Sequence, residues 1–205
     1  MPSLYNPLDK FNLGKSVLDA LLEQHPQSLA ELLPFRGAGI YAIYYHGSFD
    51  AYKPVSINPN EASAKPIYVG KAIPTGSRKG ASLISTTGGQ ALWKRLSDHK
   101  DTIFSVEKAA GNLRLADFSV RYLVVDDIWI PLGESLLIAT FSPLWNTVVD
   151  GFGNHDPGAG RYNGLRPIWD VLHPGRVWAD RCKVRPQNIA DITQSIVRYF
   201  ASNGR

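Results

Sequence analysis

Apolar positions cluster along the chain in two short runs and elsewhere recur at helical spacing. The run Gly39-Ile-Tyr-Ala-Ile-Tyr-Tyr-His46 and the run Ile67-Tyr-Val-Gly-Lys71 are rich in β-branched and aromatic residues, and both predict strands. Gly, Ser, Asn and Pro crowd the connection from Gly47 to Lys65, so the pair predicts a hairpin with a long loop. Tyr41 and Tyr68 would then point from neighbouring strands into one shallow site. Phe118 to Val125 predicts a third, buried strand. Helical spacing recurs at Val17, Leu18, Leu21 and Leu22, with Ser16 as a start and Pro26 as a stop. A second short apolar stripe, Leu29, Leu32 and Leu33, ends at Pro34. Thr87-x-x-Gln90 matches a capping box ahead of the stripe Leu92, Leu96 and Ile103. Pro131 suits the first turn of a further helix running to Phe141. Ile189, Ile192, Ile196 and Phe200 mark a last amphipathic helix.

Composition narrows the class. A chain of 205 residues with 44% apolar and 20% charged content is expected to fold as a single domain with a proper core. No apolar run approaches a membrane span, and Met1-Pro2-Ser3 lacks a signal pattern. The lone cysteine, Cys182, cannot form an internal disulfide, which agrees with a cytoplasmic protein. The net charge of +4 sits in residues 151–205, while residues 1–150 balance. Within the balanced part, residues 71–100 carry six basic groups against Asp98 alone. Two separate basic segments suit a polyanion held along an extended surface, or a solvated basic face.

Several positions could carry chemistry, each beside a plainer reading. Arg78 and Lys79, in a Pro- and Gly-containing turn, could reach a guanine edge or a phosphate, or simply face solvent. Arg95 and His99 lie one turn apart on one helix face, with Lys94 beside them. Asp126-Asp127 reads as a turn or helix cap. Glu134 stands in an otherwise apolar segment, Leu132 to Phe141. It either needs a partner, for which a hard divalent cation is suited, or is an exposed residue of the helix start. Asn154-His155-Asp156 matches one piece of the calcineurin-like metallophosphoesterase signature. The Asp-x-His and Gly-Asp strings that should precede it do not occur, so residues 151–164 read as a glycine-rich loop with Arg161 at its tip. Arg166, Arg176 and Arg181, mixed with His173 and Trp178, fit DNA contact and subunit interfaces alike.

Taken in order, Gly39-Ile-Tyr41, Tyr68-Val-Gly70, Arg95, Glu134 and the Pro143-x-x-Asn146 ending resemble the GIY-YIG nucleases over residues 37–150. The resemblance implies an α+β fold: a small antiparallel three-stranded sheet flanked by helices, with loop insertions. A helical extension (1–36) would precede this core and a basic extension for DNA contact or dimerisation (151–205) would follow it. It also implies hydrolysis of a phosphodiester in double-stranded DNA. Tyr41 would activate water, helped by Lys71 or Arg95, with His99 taking the proton onward. Arg95 and Tyr68 would bind non-bridging oxygens, Glu134 would hold one Mg2+, and Asn146 would hold the site together or touch a phosphate. Arg78, Lys79, Lys94, Arg161, Arg166, Arg176 and Arg181 would contact DNA. With neither a linked DNA-binding module nor a long repair-type chain, the sequence resembles the type II restriction endonucleases, closest to the small enzymes that cut CCGCGG. A palindrome implies a homodimer on DNA, and a restriction role implies a DNA methyltransferase as genetic partner. The alternatives are a GIY-YIG-fold DNA-binding protein and a repair or homing-type nuclease without restriction specificity.

Overall fold

The computed structural model describes residues 6, 8–61, 63–73 and 89–203. Four strands form one antiparallel sheet in the order β1-β4-β2-β3: β1 (Gln27–Ser28), β2 (Gly39–Tyr45), β3 (Tyr68–Ala72) and β4 (Phe118–Val124). The expected α+β class holds, with the two-residue β1 added to the three anticipated strands. Tyr41 pairs with Gly70 on one side and Tyr122 on the other.

The central strand β2 is buried along its whole length, because both faces of the sheet are covered. Successive side chains alternate between faces. Tyr41, Ile43 and Tyr45 enter a large aromatic core with α2 (Ala91–Ala109) and the C-terminal flank. Ile40, Ala42 and Tyr44 enter a smaller core with α1 (Lys10–Leu22) and α3 (Ile130–Phe141). The hairpin tyrosines therefore fall on the α2 side.

Helix boundaries follow local chemistry. Asp9 caps α1 by accepting from the Phe11 amide at 2.8 Å, so the helix starts earlier than Ser16. The stripe at Leu29 to Leu33 is not helical: β1 and a turn take its place, burying Leu29 and exposing Leu33. Thr87 lies outside the described residues, as do Arg78 and Lys79; α2 starts at Ala91 behind Gln90, which makes no side-chain cap. Asp126 accepts from the Ile128 amide at 3.3 Å in the turn before α3.

Beyond α3 come α4 (Leu144–Thr147), α5 (Ile168–Leu172), α6 (Val177–Asp180) and α7 (Ile189–Asn203). The last helix opens on a reciprocal cap, with Asn188 and Asp191 side chains each accepting the other's amide. It buries Ile192 and Ile196. The 47–65 insert packs into the core. Its 3-10 helix, Asp50–Val55, drives Tyr52 into the aromatic core, where the Tyr52 hydroxyl meets His173 Nε2 at 2.6 Å. His173 Nδ1 lies 3.1 Å from Asn112 Oδ1, and the insert is thereby tied to α5. Among the described residues no helix is long and apolar enough to cross a membrane.

Candidate active site

The site is built round strand β3, which forms one edge of the sheet. Tyr68, Gly70 and Ala72 face α2, whereas Val69 packs on the α1 and α3 side. An open cleft of about 520 Å³ wraps this edge and draws on both sides. Tyr68, Lys71, Lys94, Arg95, Glu134 and His155 line it.

Two phenols, an imidazole and a guanidinium meet on the α2 side. The Tyr41 hydroxyl lies 2.6 Å from His99 Nε2. The Tyr41 and Tyr68 rings are 6.2 Å apart, and each lies within 5.5 Å of the His99 ring. His99 occupies the buried face of α2 with Leu92, Leu96, Ile103 and Val106, stacked on Phe152 at 4.4 Å. Tyr41 is fully buried and Tyr68 is 8% exposed, so Tyr41 stands behind Tyr68 rather than in the cleft. Gly70 makes that placement possible: a Cβ there would collide with the Tyr41 hydroxyl and ring.

Burial sets the electrostatics. It pushes the Tyr41 phenol well above its ordinary value, the neighbouring Tyr68 adds to this, and the Arg95 guanidinium opposes it. Burial likewise raises Tyr68, against Arg95. His99 is held well below its ordinary value by burial, then by Arg95, His155 and Arg176. Near neutral pH the pair is therefore a neutral phenol facing a neutral imidazole, which leaves one ring nitrogen free to accept the phenolic proton. Burial works against the Arg95 charge, yet Tyr41 and Tyr68 outweigh it and raise Arg95. The expected help from Arg95 toward phenolate is thus present but smaller than the desolvation of Tyr41.

On the other side of β3, Lys71 Nζ lies 2.6 Å from Glu134 Oε2. Glu134 is 19% exposed and faces the cleft. Among the described residues no three His, Cys, Asp or Glu side chains cluster as a metal cage. One carboxylate still suits Mg2+, which keeps several of its waters and takes one or two carboxylates plus phosphate oxygens. The donor set fits such an ion, with the Lys71 ammonium as its competitor for Glu134.

Asn146 spends its amide on structure. Its Oδ1 accepts from the Val69 amide at 2.8 Å and its Nδ2 donates to the Val69 carbonyl at 2.8 Å. Of its two expected uses, the first is what the geometry gives. The basic residues diverge. Lys94 is exposed in the cleft, and Arg161 is exposed on its loop. Arg181 is half-exposed beside Asp156, 3.3 Å away, and over the Tyr162 ring. Arg166 pairs with Asp180 at 3.2 Å and donates to the Ala179 carbonyl. Arg176 departs from its expected place on a DNA-facing surface: it is 7% exposed and its guanidinium forks onto buried Asp170, with Nε 2.6 Å from Oδ1.

Two residues that sequence reasoning set aside belong here. His155 Nε2 accepts from Arg95 Nη1, and burial followed by Arg95 lowers its proton affinity, against Asp98. Gly153 offers its carbonyl to Arg95 Nη2 at 2.7 Å. The Gly153-Asn-His155 string is the signal that could have found them, had it been weighed against the arginine rather than against a phosphoesterase.

A family model described as the Eco29kI GIY-YIG domain matches residues 33–200, running past residue 150 through the C-terminal flank. No curated protein matches the chain. The matched span takes in β2, β3, α2 and α3. The chain belongs to the Eco29kI GIY-YIG domain family.

Proposed function

We propose that the protein is a type II restriction endonuclease that hydrolyses phosphodiesters of double-stranded DNA at a short palindrome, with CCGCGG as the first sequence to test. The observation that carries this reading is the convergence of Tyr68, Lys71, Arg95 and Glu134 on one cleft, with the Tyr41–His99 pair directly behind it. A divalent ion bound by Glu134 would supply charge stabilisation at the leaving 3′ oxygen and the phosphorus. Arg95 and Tyr68 bind the non-bridging oxygens as charge grows on them. Tyr41 lies behind Tyr68, so its part in the reaction requires the attacking water to enter past Tyr68; Tyr41 then takes the water's proton while passing its own to His99, and no free phenolate is needed. Lys71, once parted from Glu134, is a cation within reach of the same phosphate. Lys94, Arg161 and Arg181 extend the contact along the duplex, joined by Arg78 and Lys79.

A palindromic site calls for two protomers related by a two-fold axis, each cutting one strand. A cytoplasmic setting, with a DNA methyltransferase as genetic partner, completes the restriction reading. The test is digestion of a plasmid of known sequence with purified protein and Mg2+. Discrete fragments ending at one palindrome support the proposal, and sedimentation on that duplex should show two protomers.

A second reading is a nuclease of this fold without fixed sequence preference. The family match supports the GIY-YIG domain itself and carries no recognition sequence, which is all that this reading requires. A smear in place of discrete bands would establish it. No cleavage of any plasmid, with DNA binding kept, would leave a binding module.

A further inference from the structure

Four consecutive backbone carbonyls, at residues 151–154, are all held by guanidinium groups. Arg176 Nη2 donates to Gly151 at 2.8 Å, and its Nη1 donates to Phe152 at 3.1 Å and to Asn154 at 2.9 Å. The carbonyl between them, that of Gly153, accepts instead from Arg95. The strap thus has one arginine inside it and another outside it. Arg176 is itself pinned: Asp170 takes its Nε and Nη2, and the Trp169 and Trp178 rings lie 5.0 and 4.7 Å from its guanidinium carbon. Asp170 is 2% exposed, so this is a buried, bidentate pair whose geometry is fixed by its surroundings.

The strap also limits Arg95 from a second direction. Its next residue, His155, accepts from Arg95 Nη1. At Gly153 a Cβ would strike the Tyr68 hydroxyl and press on Arg95 Nη2. Phe152 carries the stack under His99 and the edge contact to Tyr68. Every catalytic group on the α2 side except Tyr41 therefore touches residues 152–155.

We infer that Arg176 is a positioning residue for Arg95: by locking the carbonyls of residues 151, 152 and 154, it fixes the Gly153 carbonyl and His155 that aim the Arg95 guanidinium at the phosphate. The inference rests on the nuclease reading above. Lysine at this position keeps the charge facing Asp170 but cannot fork to three carbonyls and a carboxylate at once.

The experiment measures kcat, KM and the melting temperature for wild type, Arg176→Lys, Gly153→Ala and the double variant, well below each melting temperature. Arg176→Lys should lower kcat by about 10- to 100-fold, the scale of an ångström of misplacement, with KM nearly unchanged. Gly153→Ala, which leaves the Asp170–Arg176 pair intact, should do the same. The double variant should be no worse than the poorer single one, because both act through the strap. Should Arg176→Lys not fold, Asp170→Glu moves the fork by one methylene with both charges kept, and must also lower kcat. An unchanged kcat in a folded variant overturns the inference, as do losses that multiply in the double variant. Absence of cleavage by the wild type would instead remove the nuclease reading.

Discussion

Lys71 and Glu134 face one another across 2.6 Å at the mouth of the cleft. An ammonium already sits where an ion bound to this carboxylate would compete for it. Replacing Lys71 by Met should therefore tighten Mn2+ binding, read by the loss of the free-ion signal in electron paramagnetic resonance. The same variant should cut DNA more slowly, since the cation is also lost from the phosphate's surroundings. Weaker Mn2+ binding in Lys71→Met would show that the lysine does not compete for Glu134.

The phenol of Tyr41 can be removed without removing its ring. Tyr41→Phe keeps the packing against Tyr68 and His99 and deletes one buried hydrogen bond, a cost of about 1–3 kcal/mol in unfolding free energy. Cleavage should fall by about 100-fold or more if the hydroxyl passes the proton. A melting curve and a single-turnover rate measured on one preparation separate the two effects. An unchanged rate would take Tyr41 out of the chemistry.

Adding one methyl group at position 70 tests the crossing of Tyr41 over β3. Gly70→Ala places a Cβ against the Tyr41 hydroxyl and ring, and overpacking of this kind costs about 1–3 kcal/mol. The melting temperature should drop, and the Tyr41–His99 contact should be disturbed with it. A melting temperature equal to wild type would mean that the ring moves aside freely.

Stability should fall in mild acid. Burial lowers His173 to about 3, whereas an unfolded histidine titrates near 6.5. Between these values the unfolded chain binds a proton that the folded chain refuses, so folding weakens as pH falls from about 6.5 toward 3. The slope is about 1.4 kcal/mol per pH unit for one such group, and His99, shifted the same way, adds to it. Urea midpoints at pH 7.5, 6 and 5 measure this. His173→Gln should show a shallower slope, and a flat wild-type profile would contradict the burial.

The hairpin, α2 and α3 were legible because their signals are local. Clustered β-branched and aromatic runs, a helical apolar stripe and a proline at a helix start depend on residues a few positions apart. Tyr41, Tyr68, Arg95, His99 and Glu134 could be placed from that frame. What escaped were partners remote in sequence. Arg176, beside Trp178 and Val177, reads as surface charge; only the fold brings Asp170 and three carbonyls round it. Tyr52 sits in a stretch rich in Pro, Asn and Ser, and nothing nearby foretells His173 as its partner. Burial at Tyr41 is of the same kind, since His99, from a helix remote in sequence, covers it as well as Tyr68 of the hairpin.

Asn146 has a consequence that reaches past the chemistry. Strand β3 borders the sheet, and its outward amide and carbonyl at Val69 would invite another chain to add on as a fifth strand. A single carboxamide occupies both, and the Trp145 amide takes the carbonyl of Ile67 at 2.9 Å. The rim is thereby closed to backbone zippering at Ile67 and Val69, so the dimer proposed above would have to adhere through side chains rather than by strand addition there. Asn146→Ala would reopen the rim, and its first symptom should be self-association in light scattering, before any loss of helix or sheet.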